Sequence, residues 1–222
     1  GGHGDYKLVV LAPASVQEFA DLTMRAFDLA DTYRMPVLIL GDGMLGQMME
    51  PVEFDREAPA VPPVRADALR GASGRPRKIV KSFTSNPADL EEINWSLYRR
   101  YQVIKEKEPA ADTFLTDDAE LLVVAFGASA RIAKGAIKEV RAGGMKVGLF
   151  RPVTLWPFPD KALRAAAERV KGILVFEMNM GQMIEDVRLS LNGDRRIDFY
   201  GRPGGIIPAP SEVARVIARH YH

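Results

Sequence analysis

Cysteine is absent from all 222 residues. That excludes a disulfide, a cysteine-ligated iron–sulfur cluster and a thiolate zinc site on this chain. Histidine is almost as scarce: His3, His220 and His222 lie at the two ends, so a histidine metal centre or a Ser-His-Asp triad has nothing to be built from. No apolar run reaches the length of a transmembrane helix, and no membrane partner is expected. Neither sign of charge is in excess, with 30 Lys and Arg against 29 Asp and Glu, which argues against a nucleic-acid binder. The absence of a signal peptide points to a cytoplasmic location. The chain opens Gly-Gly-His-Gly-Asp without a methionine, so it reads as a piece of something longer.

What is present is a run of short apolar segments alternating with amphipathic ones. Leu8 to Ala12 is a strand ended by Pro13. Ser15-Val-Gln-Glu18 is a capping box for a helix, with Val16, Phe19, Ala20, Phe27 and Ala30 on its apolar face and a stop near Arg34. Val37 to Leu40 reads as a parallel strand covered on both sides, and it ends in the tight turn Gly41-Asp42-Gly43. Between about Asp55 and Ser85 proline, glycine and arginine dissolve the pattern into a linker. Asn86-Pro87 then opens a charged helix whose stripe is Leu90, Ile93, Leu97 and Ile104, ending near Glu108-Pro109.

From Phe114 onward four strands alternate with helices: Leu121 to Phe126, a run from Val147, Ile173 to Phe176, and Ile197 to Tyr200. Such alternation gives a parallel sheet with right-handed crossovers. The strand at Val147 should break at Arg151-Pro152, because proline has no N–H for a ladder. The loop Arg151-Pro-Val-Thr-Leu-Trp-Pro-Phe-Pro159 then carries aromatic residues at the ligand-facing edge of the sheet. Four loops share that edge, at Gly127-Ala128-Ser129, Arg151-Pro152, Glu177 to Gln182 and Gly201 to Gly205. They could form a crevice in which helix N-termini hold an anion, or they could be plain turns and caps.

Glu177, Asn179 and Gln182 cluster at a strand exit, where they would either meet a ligand or satisfy loop backbone groups. Arg151 reads as an ion-pairing or carbonyl-binding residue that fixes its loop, with contact to a ligand as the alternative. Met44 to Met49 offers either core packing or an adaptable apolar surface.

The segments Leu11 to Glu18, Leu40-Gly-Asp-Gly-Met-Leu-Gly-Gln-Met-Met-Glu-Pro51, Arg151 to Pro159 and Glu177-Met-Asn-Met-Gly-Gln182 together are less generic. They resemble the α subunit of the 2-oxoacid:ferredoxin oxidoreductases, most of all its 2-oxoisovalerate (3-methyl-2-oxobutanoate) branch. The resemblance implies a thiamine-diphosphate enzyme that decarboxylates a 2-oxoacid, passes electrons through iron–sulfur clusters to ferredoxin and transfers the acyl group to coenzyme A. It implies an α/β fold in three parts: residues 1–54 as the end of a pyrimidine-binding-type domain, 55–113 as linker and helix, and 114–222 as a transketolase C-terminal-like domain.

On the same resemblance, thiamine diphosphate and its magnesium are anchored mostly outside this chain, with the cofactor-contacting glutamate expected before Gly1. The iron–sulfur clusters are expected on other subunits, and the partners are a β subunit and iron–sulfur subunits, in an oligomer. This stretch alone is expected to be inactive and to hold no cofactor or metal, with no catalytic residue of its own. His3, Asp5, Asp42, Gly43 and Gln47 are the candidates for nearness to the active site, and Arg151, Glu177, Asn179 and Gln182 for subunit contacts. Two other readings remain: a non-catalytic assembly module, or an independent α/β domain that binds an anion or coenzyme A.

Overall fold

The computed structural model describes residues 4–54, 68–81, 83–193 and 195–221. Strand β1 (Val9–Leu11), helix α1 (Val16–Tyr33) and strand β2 (Val37–Ile39) form one βαβ unit, with β1 and β2 parallel. Ser15 caps α1 by accepting from Glu18 N at 3.1 Å, and Glu18 reaches back to Ala14 N at 2.8 Å. Arg34 ends the helix in a left-handed conformation, where its N–H reaches Ala30 O. Pro36 follows after Met35 and bars any continuation of the helix.

The buried face of α1 is not the expected one. Leu22, Ala26 and Leu29 are covered, whereas Phe27 is 74% exposed. Both stripes are apolar, but the one turned toward Val9 and Leu11 is fully covered, whereas the other is at most half-buried, with Phe19 against Gly41. Strand β2 is likewise not covered on both sides, since Leu38 and Leu40 remain half exposed. β2 is the edge of a three-stranded sheet in the order β2-β1-β6, where β6 is Thr154–Trp156, and among the described residues helices pack on one face of that sheet.

Asn86 caps helix α2 (Pro87–Lys107) by accepting from Ala88 N at 3.1 Å, and Pro87 occupies the first turn where no donor is lost. Its C-terminal half packs through Tyr101 and Ile104 on β1. The stripe expected to continue through Leu90 and Ile93 does not: both are more than 40% exposed. A narrow stripe can be buried only where another element lies beneath it.

The larger sheet runs β3-β5-β4-β7-β8. Its strands are β3 (Ala111–Phe114), β4 (Leu121–Val124), β5 (Val147–Pro152), β7 (Gly172–Glu177) and β8 (Arg196–Gly201). The last four are parallel, as the alternation with helices predicts, and β3 adds an antiparallel edge that the sequence did not announce. Helices α3 (Gly127–Ala142) and α6 (Pro210–His220) cover one face on Leu121, Val123 and Phe176. Helices α4 (Asp160–Ala167) and α5 (Met183–Leu191) cover the other on Leu122, Val124 and Val175. Successive residues of β4 thus point into two separate cores, which is why every one of them is apolar.

The expected break at Arg151-Pro152 does not occur. β5 continues through both residues, paired antiparallel with β3 on one side, where proline's missing N–H costs no bond of the parallel ladder. After Val153 the chain forms β6 (Thr154–Trp156), which pairs antiparallel with β1 in the other sheet. The stretch read as a ligand-facing loop is therefore the join between two sheets. Trp156 packs edge-on against Tyr101, with ring centroids 5.8 Å apart.

Candidate binding cleft between the two sheets

The open face of the small sheet looks across a cleft at the carboxyl ends of the larger one. Its main cavity, of about 630 Å³, is bounded by Val10, Leu38, Leu40 and Trp156 of the small sheet on one side and by Phe126 and Met183 on the other. A smaller cavity of about 200 Å³ continues past Leu40 and Phe126 to Asp42, Gly127 and Asn179. The walls are apolar and the polar groups few, as in many small-ligand sites. Lys7, Asn179, Gln182 and Asp186 supply the polar groups of the main cavity. Although Asp186 is exposed, partial desolvation, followed by the charges of Glu185 and Glu177, holds its carboxyl above the usual range.

Three carboxylates that could have faced this cleft are already engaged. Glu177 is fully buried at the end of β7, where it accepts from Met183 N, Ile184 N and Asn179 Nδ2, each at 3.0 Å. It serves the orphan amides at the start of α5, the ordinary need of a helix N-terminus. Asn179 in turn accepts from Gly181 N at 2.7 Å, and Gly181 has a φ of +100° that suits glycine. Asp42 accepts from Leu45 N and Ala128 N, both at 2.9 Å. The first turn of α3, read from sequence as either an anion site or a plain turn and cap, thus receives the carboxylate of a residue 86 positions earlier. The third, Glu18, is taken by Arg151.

Arg151 is the centre of the join. Its side chain is 2% exposed. It donates to both oxygens of Glu18 on α1, at 2.8 and 2.7 Å, and also to Asp112 on β3. Burial alone would lower its pKa, but the bonds to Asp112 and Glu18 hold it above its ordinary value. Its Nε has no partner among the described residues. A second tie joins Arg131 of α3 to Glu50, which also accepts from Val16 N at 3.2 Å. Those two donors hold the Glu50 carboxyl below its usual range.

Of the residues singled out from sequence, Asp42, Asn179 and Gln182 border the cleft. Glu177 stands behind it as a support, and Arg151 lies inside the join rather than on a loop. Gly43 and Gln47 are exposed and line neither cavity. Asp5 lies elsewhere, beside α2. His3 falls outside the described residues. Sequence reasoning missed Lys7, Asp186 and the second role of Glu18, whose capping-box position concealed a cross-sheet ion pair. Among the described residues no three His, Asp or Glu side chains converge on a point that could hold a metal ion.

Comparison with known proteins places this architecture. Residues 3–109 match the family described as pyruvate flavodoxin/ferredoxin oxidoreductase, thiamine diphosphate-binding, and residues 119–213 match pyruvate:ferredoxin oxidoreductase core domain II. The chain belongs to the 2-oxoacid:ferredoxin oxidoreductase family. It is 42% identical over 217 residues to the ketoisovalerate oxidoreductase subunit VorB of Methanothermobacter marburgensis, covering 98% of this chain and 61% of the relative. The 2-oxoglutarate synthase subunit KorA of Methanothermobacter thermautotrophicus is 34% identical over 245 residues, covering 99% of this chain and 65% of that one. The chain thus spans less than two thirds of the length of these curated relatives.

The fold is shared with a 2-oxoglutarate:ferredoxin oxidoreductase from Magnetococcus marinus, solved with 2-oxoglutarate, coenzyme A and succinyl-CoA bound. That match has a TM-score of 0.74 and 20% identity, and covers 100% of this chain and 44% of the other. A split-gene transketolase described as an inactive β4 tetramer matches with a TM-score of 0.54 at 14% identity, covering 96% of this chain and 56% of the other.

Proposed function

We propose that this chain is part of the α-type subunit of a thiamine-diphosphate-dependent 2-oxoacid:ferredoxin oxidoreductase. Its substrate class is the branched-chain 2-oxoacids, oxidised to the acyl-CoA with ferredoxin reduction. The observation that carries this reading is the 42% identity to a ketoisovalerate oxidoreductase subunit across nearly the whole chain. The proposed parts are residues 1–54 from the cofactor-type domain, 55–113 as linker and helix, and 114–222 as the transketolase-like domain.

Thiamine diphosphate fits this chain only as far as a wall. The apolar face of β1 and β2 can border a flat heterocycle, but Asp42, Glu177 and Glu18 have their oxygens committed elsewhere. The cofactor's magnesium and diphosphate are assigned to a β subunit and the iron–sulfur clusters to further subunits of a cytoplasmic complex, with this chain inactive by itself.

An assembly role is favoured as a second reading by one observation. The charged residues at the joins pair in two sets, Arg151 with Glu18 and Asp112, and Arg131 with Glu50. Such groups hold parts together rather than meet a substrate.

The test is a calorimetric titration of magnesium and thiamine diphosphate into the isolated chain, beside co-purification with the β-type and iron–sulfur subunits of a ketoisovalerate oxidoreductase. Association with the subunits but no cofactor heat is expected. Unaided oxidation of a 2-oxoacid, or failure to associate, would overturn the proposal.

A further inference from the structure

From Leu69 to Ala88 the sequence holds five cationic residues, Arg70, Arg75, Arg77, Lys78 and Lys81, and no acidic one. Over 68–81 the chain forms neither helix nor strand. Arg75 turns back on the segment itself, to Ala72 O through its backbone and to Ala68 O through its guanidinium. A solvated linker would be polar between its charges. This one instead carries Ile79, Val80 and Phe83, which are 75%, 71% and 75% exposed. Cations alternating with large open apolar side chains make a strip suited to a surface that is acidic and apolar together.

The same protein presents such a surface. A groove of about 770 Å³ runs along the first half of α2, between that helix and residues 4–7. Leu90, Trp95 and Tyr98 line it, each 43–52% exposed, and its charged lining is two acids, Asp5 and Glu91, against one cation, Lys7. Asp89 adds further acidic charge on the first turn of the helix, whereas Glu92 is paired with Arg99. The strip is not seated in this groove in its own molecule, since its apolar side chains are open.

We propose that the groove of one copy receives the strip of a second copy, and the reverse, in a two-fold dimer. Ile79, Val80 and Phe83 fill the apolar floor, while Arg77 and Lys81 meet Asp5 and Glu91 of the other copy. An exchange of this kind is self-complementary, so two identical chains satisfy both halves at once and the assembly closes. A nucleic acid would use the cations but leave Ile79 and Val80 without a partner, and the acidic rim would repel it. The proposal is independent of the parent reaction.

Sedimentation equilibrium of the chain, with R77E/K81E, D5K/E91K and the two pairs combined, tests it. The unaltered chain is expected to dimerise and to weaken as salt is raised from about 0.05 to 0.5 M, as exposed charge pairs do. Each charge-reversed pair should raise the dimer dissociation constant by about tenfold or more, and the combined variant should restore it. I79S/V80S/F83S should raise it as well without moving the unfolding midpoint measured at a concentration where the unaltered chain is monomeric, because the strip contributes to neither sheet. A monomer at all concentrations overturns the proposal. So does a dimer indifferent to the reversals, or one that the combined variant fails to restore.

Discussion

Replacing Arg151 with alanine should loosen the join between the two sheets more than any other single change. The guanidinium is 2% exposed and is shared by Glu18 and Asp112, which are 33% and 52% exposed. Breaking a fully buried pair costs about 3–5 kcal/mol because it leaves a charge stranded. Here the carboxylates left behind can regain water, and Glu18 keeps its bond to Ala14 N, which brings the ionic part to about 1–2 kcal/mol. Removing the buried stem adds roughly 1–2 kcal/mol of lost packing. The sum, about 3 kcal/mol, corresponds to a drop of ~6–12 °C in unfolding midpoint for a chain of this size. Arg151→Met keeps the stem and removes the partnerless Nε, so it should cost about half as much. Differential scanning calorimetry reads both variants, and hydrogen exchange at β1 and β6 should rise with the alanine. Equal midpoints for alanine, methionine and the unaltered chain, with exchange unchanged at β6, would refute the reasoning.

Asp42→Ala removes the acceptor for Ala128 N at the head of α3 and should lower stability by about 1 kcal/mol, as lost caps do. Asp42→Asn, which keeps an oxygen, should cost less in the same chemical denaturation series. Glu177→Ala leaves two buried amides at the start of α5 without an acceptor and should cost about 2–3 kcal/mol, seen as faster exchange at Met183 and Ile184. Tyr33 is pushed up to about 12 by burial and then by Glu108, which accepts its hydroxyl hydrogen. Its folded pKa lies above the ordinary value of 10.0. Its contribution is therefore full below pH 10 and lost as the pH rises toward 12. Tyr33→Phe should flatten the stability profile in that interval.

Several elements could be read from local sequence because local chemistry decides them. Ser15 and Asn86 announce caps, and Pro36 stops α1. Leu121 to Val124 reads as a strand between two helical layers because each of its residues is apolar. The cleft was legible in part: Asn179 and Gln182 were visible as polar groups at a strand exit, and both border it. Lys7 and Asp186 were not, because each belongs to a wall only once the two sheets face each other.

The exposed stripe of α1 and the half-open β2 show where pattern runs out. An apolar residue records that burial is possible, while only a neighbouring element makes it happen. Arg151 is the clearest case. Proline beside it suggested a loop, yet β5 runs on because its antiparallel neighbour asks for no hydrogen bond there, and the arginine becomes the bolt between sheets.

Composition, caps and the alternation of short apolar strands with helices were enough, taken alone, to determine the α/β class and the parallel core, while the resemblance of a few longer segments, such as Leu40 to Pro51, carried the family likeness. The tertiary structure alone decided which apolar faces are covered, which carboxylates are spent on amides, and that residues 151–156 bridge two sheets. The division has a physical cause. Hydrogen bonds within a helix or at its cap join residues a few positions apart, whereas Asp42 with Ala128 and Glu18 with Arg151 meet across 86 and 133 positions, where no periodicity reaches.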